Sequence, residues 1–366
     1  MKIALVVFRF FPYGGLERDM LRVAECAARR GHAVTVLTTK WDGALPDGIK
    51  IEFIKISAWS NHAKMREFEQ KVQPRLAEFD VTAAFNRILG CDFYFAADEC
   101  YRVSMAKKHH PLILRCLPRY RTLLDQERRI FSPDAKTKIL TLTLRQKKDY
   151  QTNYGTPNER FVELPPGIDP RCVRVPDAEN RRAAKRQELH LAPEDKMIFL
   201  AGSNFYLKGV DRAILAVAAL PEDLKRHTHF FFAGKSDAAL MLNLAAKHGI
   251  ADHIHPLGSR DDVPDLLLAA DLAVLLSRNE AAGTYLAEAI ASGCPVIASG
   301  ACGFAPLVAT ANGGVVPEPF DQNVCNQMIA KFLSEIDTRR TQAILYAGNV
   351  DFTRRADAAV DEMEKR

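Results

Sequence analysis

Residues 1–38 read MKIALVVFRFFPYGGLERDMLRVAECAARRGHAVTVLT, and the spacing of their apolar residues changes twice. Ile3 to Phe8 is a short apolar run with β-branched residues, the pattern of a buried strand. Arg18 to Arg30 has apolar residues at helical spacing, and Gly31-His32 ends that helix. Ala33 to Thr38 then reads as a second strand. Strand, helix and parallel strand make a βαβ unit, which implies a parallel sheet covered by helices.

The same alternation continues along the chain. Val81 to Phe85, Asp92 to Ala96 and Ile139 to Leu144 read as strands. The second half repeats the scheme: strands at Met197–Ala201, Thr228–Ala233, Leu272–Leu276 and Pro295–Ala298. Helices are predicted at Val210–Leu220, Ala238–His248 and Glu280–Ser292. Between the halves, Leu164-Pro165-Pro166-Gly167-Ile168-Asp169-Pro170 can continue neither kind of element and is predicted to link them. Two α/β domains are therefore expected, at 1–163 and 164–346, with a C-terminal helix at about 347–366 packing back on the first.

A length of 366 residues fits two domains, and 48% hydrophobic with 26% charged residues is a globular balance. The apolar start stops at Arg9 with no small-residue cleavage site, which favours a strand over a signal peptide. No apolar run approaches the ~18 residues of a membrane span. The eight cysteines contain no C-x-x-C pair, so neither a disulfide framework nor a zinc site is predicted. His62, His109 and His110 likewise lack metal-ligand spacing. Cytosolic or membrane-surface placement follows.

Three stretches carry chemistry. Phe10 to Asp19 includes Gly14-Gly15 between the first strand and its helix, where a bare backbone and helix N–H groups favour an anion. No G-x-G-x-x-G occurs, which counts against a dinucleotide cofactor. In Ala201 to Asp211, Lys208 stands just before a helix and can neutralise a diphosphate. Gly234-Lys235-Ser236 resembles the end of a phosphate loop, but His229 occupies the place of its first glycine, so ATP hydrolysis is rejected. Arg278 to Ala289 offers the N–H groups of Gly283, Thr284 and Tyr285, and two carboxylates, Glu280 and Glu288, that accept bonds from sugar hydroxyls. Any one of these glutamates alone would read as solvated surface.

Together these pieces resemble family 4 retaining glycosyltransferases of the GT-B fold, two Rossmann-like domains facing each other across a cleft. The resemblance rests on Glu280 to Glu288 spaced E-x₇-E, on Ala291-Ser292-Gly293-Cys294-Pro295-Val296, on Lys208-Gly209-Val210-Asp211 and on Asp262-Val263-Pro264. It is nearest to the lipopolysaccharide core glucosyltransferase I branch, through Phe11 to Asp19, Phe95-Ala96-Ala97-Asp98, Pro165 to Ile168 and Cys302-Gly303-Phe304-Ala305. The resemblance implies that Gly14, Gly15 and Lys208 hold the donor diphosphate, that Glu280 binds the transferred sugar, and that Glu288 binds the ribose. It also implies that the backbone around Ser259-Arg260-Asp261 reads uracil, with Asp19 and Asp98 near the sugar and acceptor. Ser203 and Leu207 replace basic residues common in the family, so the phosphate site is expected to lean on Lys208, backbone groups and Arg171. There is no Asp-x-Asp, and no metal or other cofactor is expected.

From Tyr101 to Phe131, Lys107, Lys108, Arg115, Arg119 and Arg121 lie among leucines and Tyr120. Such a cationic amphipathic stretch suits an anionic membrane surface, and the resemblance implies a membrane-interacting region in this place; a solvated helix with a core face is the equal alternative. No nucleic-acid motif accompanies the charge. The implied partners are a UDP-sugar, a lipopolysaccharide core acceptor and the cytoplasmic face of the inner membrane. The competing readings are the same chemistry with another UDP-hexose or UDP-N-acetylhexosamine, and a catalytically weak sugar-nucleotide-binding assembly protein. An epimerase or phosphorylase of the same fold is disfavoured by the N-terminal motif.

Overall fold

Strand β1 (Lys2–Val6) is wholly buried from Ile3 to Val6 and pairs in parallel on both edges. Strands covered on both faces read as continuous apolar runs, as this one does. The computed structural model describes residues 1–12, 14–106 and 109–366, apart from the side chains of Pro111, Leu112 and Arg115. Tyr13, Lys107 and Lys108 thus lie outside the described residues, as does the side chain of Arg115.

The chain forms two compact units, Met1–Pro166 with Arg354–Arg366, and Gly167–Thr353. The first carries β2 (Ala33–Thr38), β3 (Lys50–Phe53), β4 (Val81–Ala84), β5 (Phe93–Ala96), β6 (Lys138–Thr141) and β7 (Phe161–Glu163). Their order is β3-β2-β1-β4-β5-β6-β7. The second carries β8 (Lys196–Ala201), β9 (Thr228–Ala233), β10 (Ile254–Pro256), β11 (Leu272–Leu275), β12 (Val296–Ser299) and β13 (Gly314–Val316), ordered β10-β9-β8-β11-β12-β13. All pairings in both sheets are parallel.

Each unit has its own core. In the first, the rings of Phe131 and Tyr150 stack at 3.6 Å above β5 and β6 residues such as Tyr94 and Ile139. In the second, Phe230 and Phe232 of β9 pack with Ile214 and Val217 from the helix Val210–Ala218. The predicted strands and helices are present with ends shifted by a few residues, save the C-terminal helix, which starts at Arg355 rather than about 347, and one other. The helix expected from Glu280 begins only at Thr284. Gly283 adopts φ +87°, a left-handed turn that stops helical hydrogen bonding upstream, and Glu280 instead bridges to Cys302. The sequence reading also missed β3, β7, β10 and β13, each of three or four residues. Too short to show a period, they are held by pairing to a longer neighbour.

The segment returning to the first unit starts at Arg354, later than expected. Its helix, Arg355–Glu364, lies on the helix Gly15–Arg29. Arg30 binds Asp357 and Asp361 there, at 2.9 and 2.6 Å. Deeper in, the Arg355 guanidinium donates to Asp19 Oδ2 at 2.9 Å and to the Pro165 carbonyl at 3.1 Å, with only 4% of its side chain exposed. Removing one partner of a buried pair strands the other charge, which costs far more than the pair is worth intact. Arg355→Met is therefore expected to lower stability by about 3 kcal/mol in urea denaturation, and adding Asp19→Asn should recover much of the loss. A neutral outcome for the single change would show that the pair is not buried in solution.

Candidate nucleotide-sugar site

In the second sheet the strand order reverses between β8 and β11. The carboxyl ends of two such strands open a crevice where ligands of parallel α/β sheets bind. Lys208 stands on the connection leaving β8, and Glu280 on the connection leaving β11. The Lys208 ammonium donates to Glu280 Oε2, and both side chains remain partly open to solvent. Topology thus joins the two residues on which the sequence reading leaned most.

The lysine loop is clamped from several directions. Gly209 has φ +78°, and a Cβ there would fall 2.1 Å from the Leu276 carbonyl oxygen, so only glycine lets the two connections close. Arg278 N–H donates to the Leu207 carbonyl at 2.9 Å. The Arg278 guanidinium pairs with Asp211 at 2.6 Å and lies 3.6 Å from the centre of the Tyr206 ring. Asn204 Oδ1 accepts from Leu207 N–H at 3.1 Å, while Asn204 N–H donates to Ser236 Oγ at 2.7 Å. Arg278 and Ser236 are positioning residues that sequence reasoning did not single out. Ser236 belongs to the stretch rejected as a phosphate loop, and its task here is to hold the lysine loop.

After Gly283 the helix Thr284–Ala291 begins, so Thr284 and Tyr285 lie in its first turn. Backbone N–H groups there lack helical acceptors and carry the positive end of the helix dipole. The Tyr285 side chain is buried and its hydroxyl donates to the Phe199 carbonyl at 2.7 Å, which leaves only its backbone for a ligand. Glu288, one turn on, is buried at 8% exposure. Gly303 N–H donates to the Glu280 carbonyl at 3.0 Å and Phe304 N–H to the Ala282 carbonyl at 2.7 Å, so the Cys302–Ala305 stretch clamps the glutamate loop. Ser259 is exposed, and Arg260 is bound to Asp262, whose carboxyl is held well below its usual range chiefly by that bond. Arg171, expected to support the phosphates, spends its guanidinium on Asp169 at 2.8 Å and reaches the Asp261 carbonyl at 3.4 Å.

In the first unit the order reverses between β1 and β4, and Gly14-Gly15 follow β1. Gly14 caps the helix that Gly15 opens, and the space beside Gly15 is empty. Glu17, which sequence reasoning passed over, folds its carboxyl back against Gly14. Burial pushes that carboxyl up from its ordinary range, and the nearby Asp98 charge adds to the shift. Asp98 is exposed and lies 3.7 Å from Arg87. Arg87 is in turn held at 3.1 Å by Glu127, a fully buried carboxylate that also accepts from Tyr101 N–H, Arg102 N–H and the Tyr154 hydroxyl. Asp19, expected near the sugar and acceptor, is buried at 9% exposure and pairs with Arg355 of the last helix.

The basic segment forms the helices Tyr101–Ala106, Pro111–Cys116 and Pro118–Phe131. Tyr120 turns inward, where its hydroxyl meets His109 Nε2 at 2.8 Å and the Arg119 guanidinium. Arg119 and Arg121 are exposed, and so are Ile113 and Leu117 at 43% and 44%. Among the described residues no helix is long and apolar enough to cross a membrane, and no group of three or more His, Cys, Asp or Glu could hold a metal ion.

Comparison with known proteins agrees with this geometry. The family profile "Glycosyltransferase Family 4" matches residues 13–171, and "Glycosyl transferases group 1" matches residues 181–347. The chain is 37% identical over 346 residues to the lipopolysaccharide glucosyltransferase WaaG of Escherichia coli K12, covering 94% of this chain and 92% of that one. It superposes on a WaaG crystal structure with TM-score 0.89 at 36% identity, covering 99% of both chains. A HepE structure from Anabaena, with UDP and glucose, shares the fold at TM-score 0.76 and 17% identity, covering 100% of both chains. With both units matched and a relative so similar along its length, the chain belongs to the family 4 glycosyltransferases of GT-B fold, in the branch of the lipopolysaccharide glucosyltransferases.

Proposed function

We propose that this enzyme moves glucose from UDP-glucose to a heptose of the lipopolysaccharide inner core, with retention at the anomeric carbon. The observation that carries the reading is the Lys208–Glu280 pair beside the open first turn of the helix Thr284–Ala291, at the strand-order reversal. The 37% identity to a lipopolysaccharide glucosyltransferase supports the choice of sugar and acceptor.

In this reading the second unit takes the donor. The Lys208 ammonium and the N–H groups of Gly283, Thr284 and Tyr285 would face the diphosphate. Glu280 would accept from hydroxyls of the glucose, Glu288 from those of the ribose, and the Ser259–Arg260 backbone would read the uracil edge. Gly14 and Gly15, with the space open beside Gly15, would let a phosphate or sugar approach the first unit's backbone. Transfer passes through an oxocarbenium-like state while negative charge grows on the departing UDP. Fixed positive groups at that charge lower the barrier without reorganising. No metal takes part in this scheme; Lys208 and the helix N-terminus supply the positive charge. The leaving phosphate would take the acceptor proton on the front face, with Asp98, steered by Arg87, orienting the acceptor hydroxyl.

The protein would work as a peripheral enzyme on the cytoplasmic face of the inner membrane, docked through the basic segment. Ile113 and Leu117, exposed beside Arg119 and Arg121, support that face as the contact. Nucleic acid has no part in this reading.

A panel of UDP-sugars assayed with truncated core lipopolysaccharide tests the donor: UDP-glucose should be preferred, and a clear preference for UDP-galactose or a UDP-N-acetylhexosamine would replace it. Lys208→Ala should cut turnover by roughly a hundredfold or more with an unchanged fold by circular dichroism, and wild-type turnover should survive excess EDTA. Normal transfer by the variant, or strict dependence on a divalent ion, would remove the scheme. For the membrane face, flotation should show binding to vesicles rich in phosphatidylglycerol and little to phosphatidylcholine alone, each basic residue near the surface contributing ~1 kcal/mol. Equal binding to both would rule out electrostatic docking.

A further inference from the structure

Trp59 holds its indole almost wholly in water, with 97% of the residue exposed. Trp41, the other tryptophan of the chain, instead stacks on Phe10 at 3.8 Å and donates from Nε1 to the Ala44 carbonyl at 3.0 Å. The loop that presents Trp59 is tied down on both sides. Before it, the Glu67 carboxylate accepts from Ser57 N–H at 2.9 Å and from Ala58 N–H at 2.8 Å. The Lys71 ammonium joins that carboxylate to the Lys55 carbonyl, at 2.8 Å to each. After it, Ser60 caps the helix Asn61–Val72, its Oγ accepting from Ala63 N–H. The backbone that carries the indole is thus fixed by the fold.

A single exposed apolar residue is ordinary on a protein surface, so the company of Trp59 decides its meaning. The helix Asn61–Val72 packs on Pro118–Phe131 of the basic segment. Arg66 donates to Thr122 Oγ1 at 2.9 Å, and Gln126 Nε2 donates to Glu69 Oε2 at 2.9 Å. From Arg66 to Glu69 on one helix the partner advances from Thr122 to Gln126 on the other, so the two run in the same direction. Ser60 stands six residues before Arg66 and Leu117 five before Thr122, nearly the same rise along each helix. Trp59 therefore lies at the same end as Leu117, which is the N-cap of the second helix. Leu117 N–H donates to the Ile113 carbonyl at 3.1 Å, a helical turn that sets these two exposed side chains on one face. Arg119 and Arg121, both exposed, follow at once.

Indole rings settle at the headgroup level of a bilayer, where the ring is covered and its N–H stays wet. The exposed aliphatic pair adds apolar area, and the arginines match anionic headgroups. Nearby carboxylates are spent within the fold: Glu67 on the loop, Glu69 on Gln126, and Asp125 on Arg128. A sugar can also stack on an indole, but an aliphatic pair beside arginines fits a lipid surface better.

We propose that Trp59 is a membrane anchor outside the basic segment, its indole entering the headgroup–acyl boundary of an anionic bilayer together with Ile113 and Leu117. The inference rests on the peripheral-membrane reading above and adds apolar insertion, from a second element of the chain, to electrostatic attraction.

In the full chain carrying Trp41→Phe, Trp59 is the remaining tryptophan and its emission reports its surroundings. Phosphatidylglycerol vesicles should shift that emission to the blue, and lipids brominated near the headgroup end of the acyl chain should quench it more than lipids brominated near the tail end. Trp59→Ala in the otherwise native chain should weaken vesicle binding about tenfold, the scale of returning part of an indole to water. Trp59→Tyr should keep most of the affinity. The Trp59→Ala loss should persist in high salt, whereas the loss in an Arg119→Gln, Arg121→Gln double variant should fade as salt screens the native attraction. Turnover of Trp59→Ala on a lipid-free core oligosaccharide should be unchanged. Unshifted emission, or native vesicle binding by Trp59→Ala, would overturn the proposal; a loss confined to the arginine variant would then leave electrostatic docking standing. A raised KM for the lipid-free oligosaccharide would assign the indole to a sugar, and a blue shift growing with protein concentration without lipid would assign it to a second copy. Either result overturns the anchor.

Discussion

A lysine and a glutamate 72 residues apart meet because two connections leave adjacent strands of one sheet, and the candidate site depends on that meeting. The ion pair itself, partly open to water, contributes little stability. Its value is positional. Gly209, tight against the Leu276 carbonyl, sets how near the two connections come, and Gly283, in its left-handed turn, shapes the glutamate connection. A side chain at Gly209 would push the two connections apart and separate the charges.

Around this pair the residues divide into those that face a ligand and those that hold the former in place. Arg278, Asn204 and Ser236 fix the lysine loop; Cys302 and Gly303 fix the glutamate loop. In the first unit, the buried Glu127 carboxylate plays the corresponding part, gathering backbone N–H groups, a tyrosine hydroxyl and Arg87. A buried carboxylate is tolerable only when it is paired and hydrogen-bonded, and Glu127 meets that condition with side chains that also orient Asp98. The same node ties Arg87, beside Asp98, to the basic helices through the N–H groups of Tyr101 and Arg102.

Much of this was legible in the sequence. Apolar runs gave β1, β2 and the longer strands of the second unit, and the Pro165-Pro166-Gly167 stretch marked the boundary between units. Lys208 and Glu280 stood out through the family resemblance of the stretches that hold them, since either residue alone would read as solvated surface. What stayed hidden depends on partners far away in the chain. Asp19 looked like an acid beside a glycine turn, but its partner is Arg355, 336 residues on, and no local pattern announces that pair. Glu280 looked helical because its neighbours have helical composition; a single left-handed glycine overrides them. Glu17 was overlooked as an ordinary first-turn acid, since burial is a property of what packs on it. The short edge strands carry too few residues to display a period, and only their neighbours define them.

If Glu280 meets the sugar while Lys208 meets the phosphates, the two halves of the donor should separate in binding. Calorimetric titration of Glu280→Gln with UDP and with UDP-glucose tests this most directly. UDP should bind within about threefold of its wild-type affinity, while UDP-glucose should lose about tenfold, the scale of one hydrogen bond to a charged group. Equal weakening of both ligands, or of UDP alone, would contradict the assignment and leave Glu280 as no more than a partner that holds the lysine.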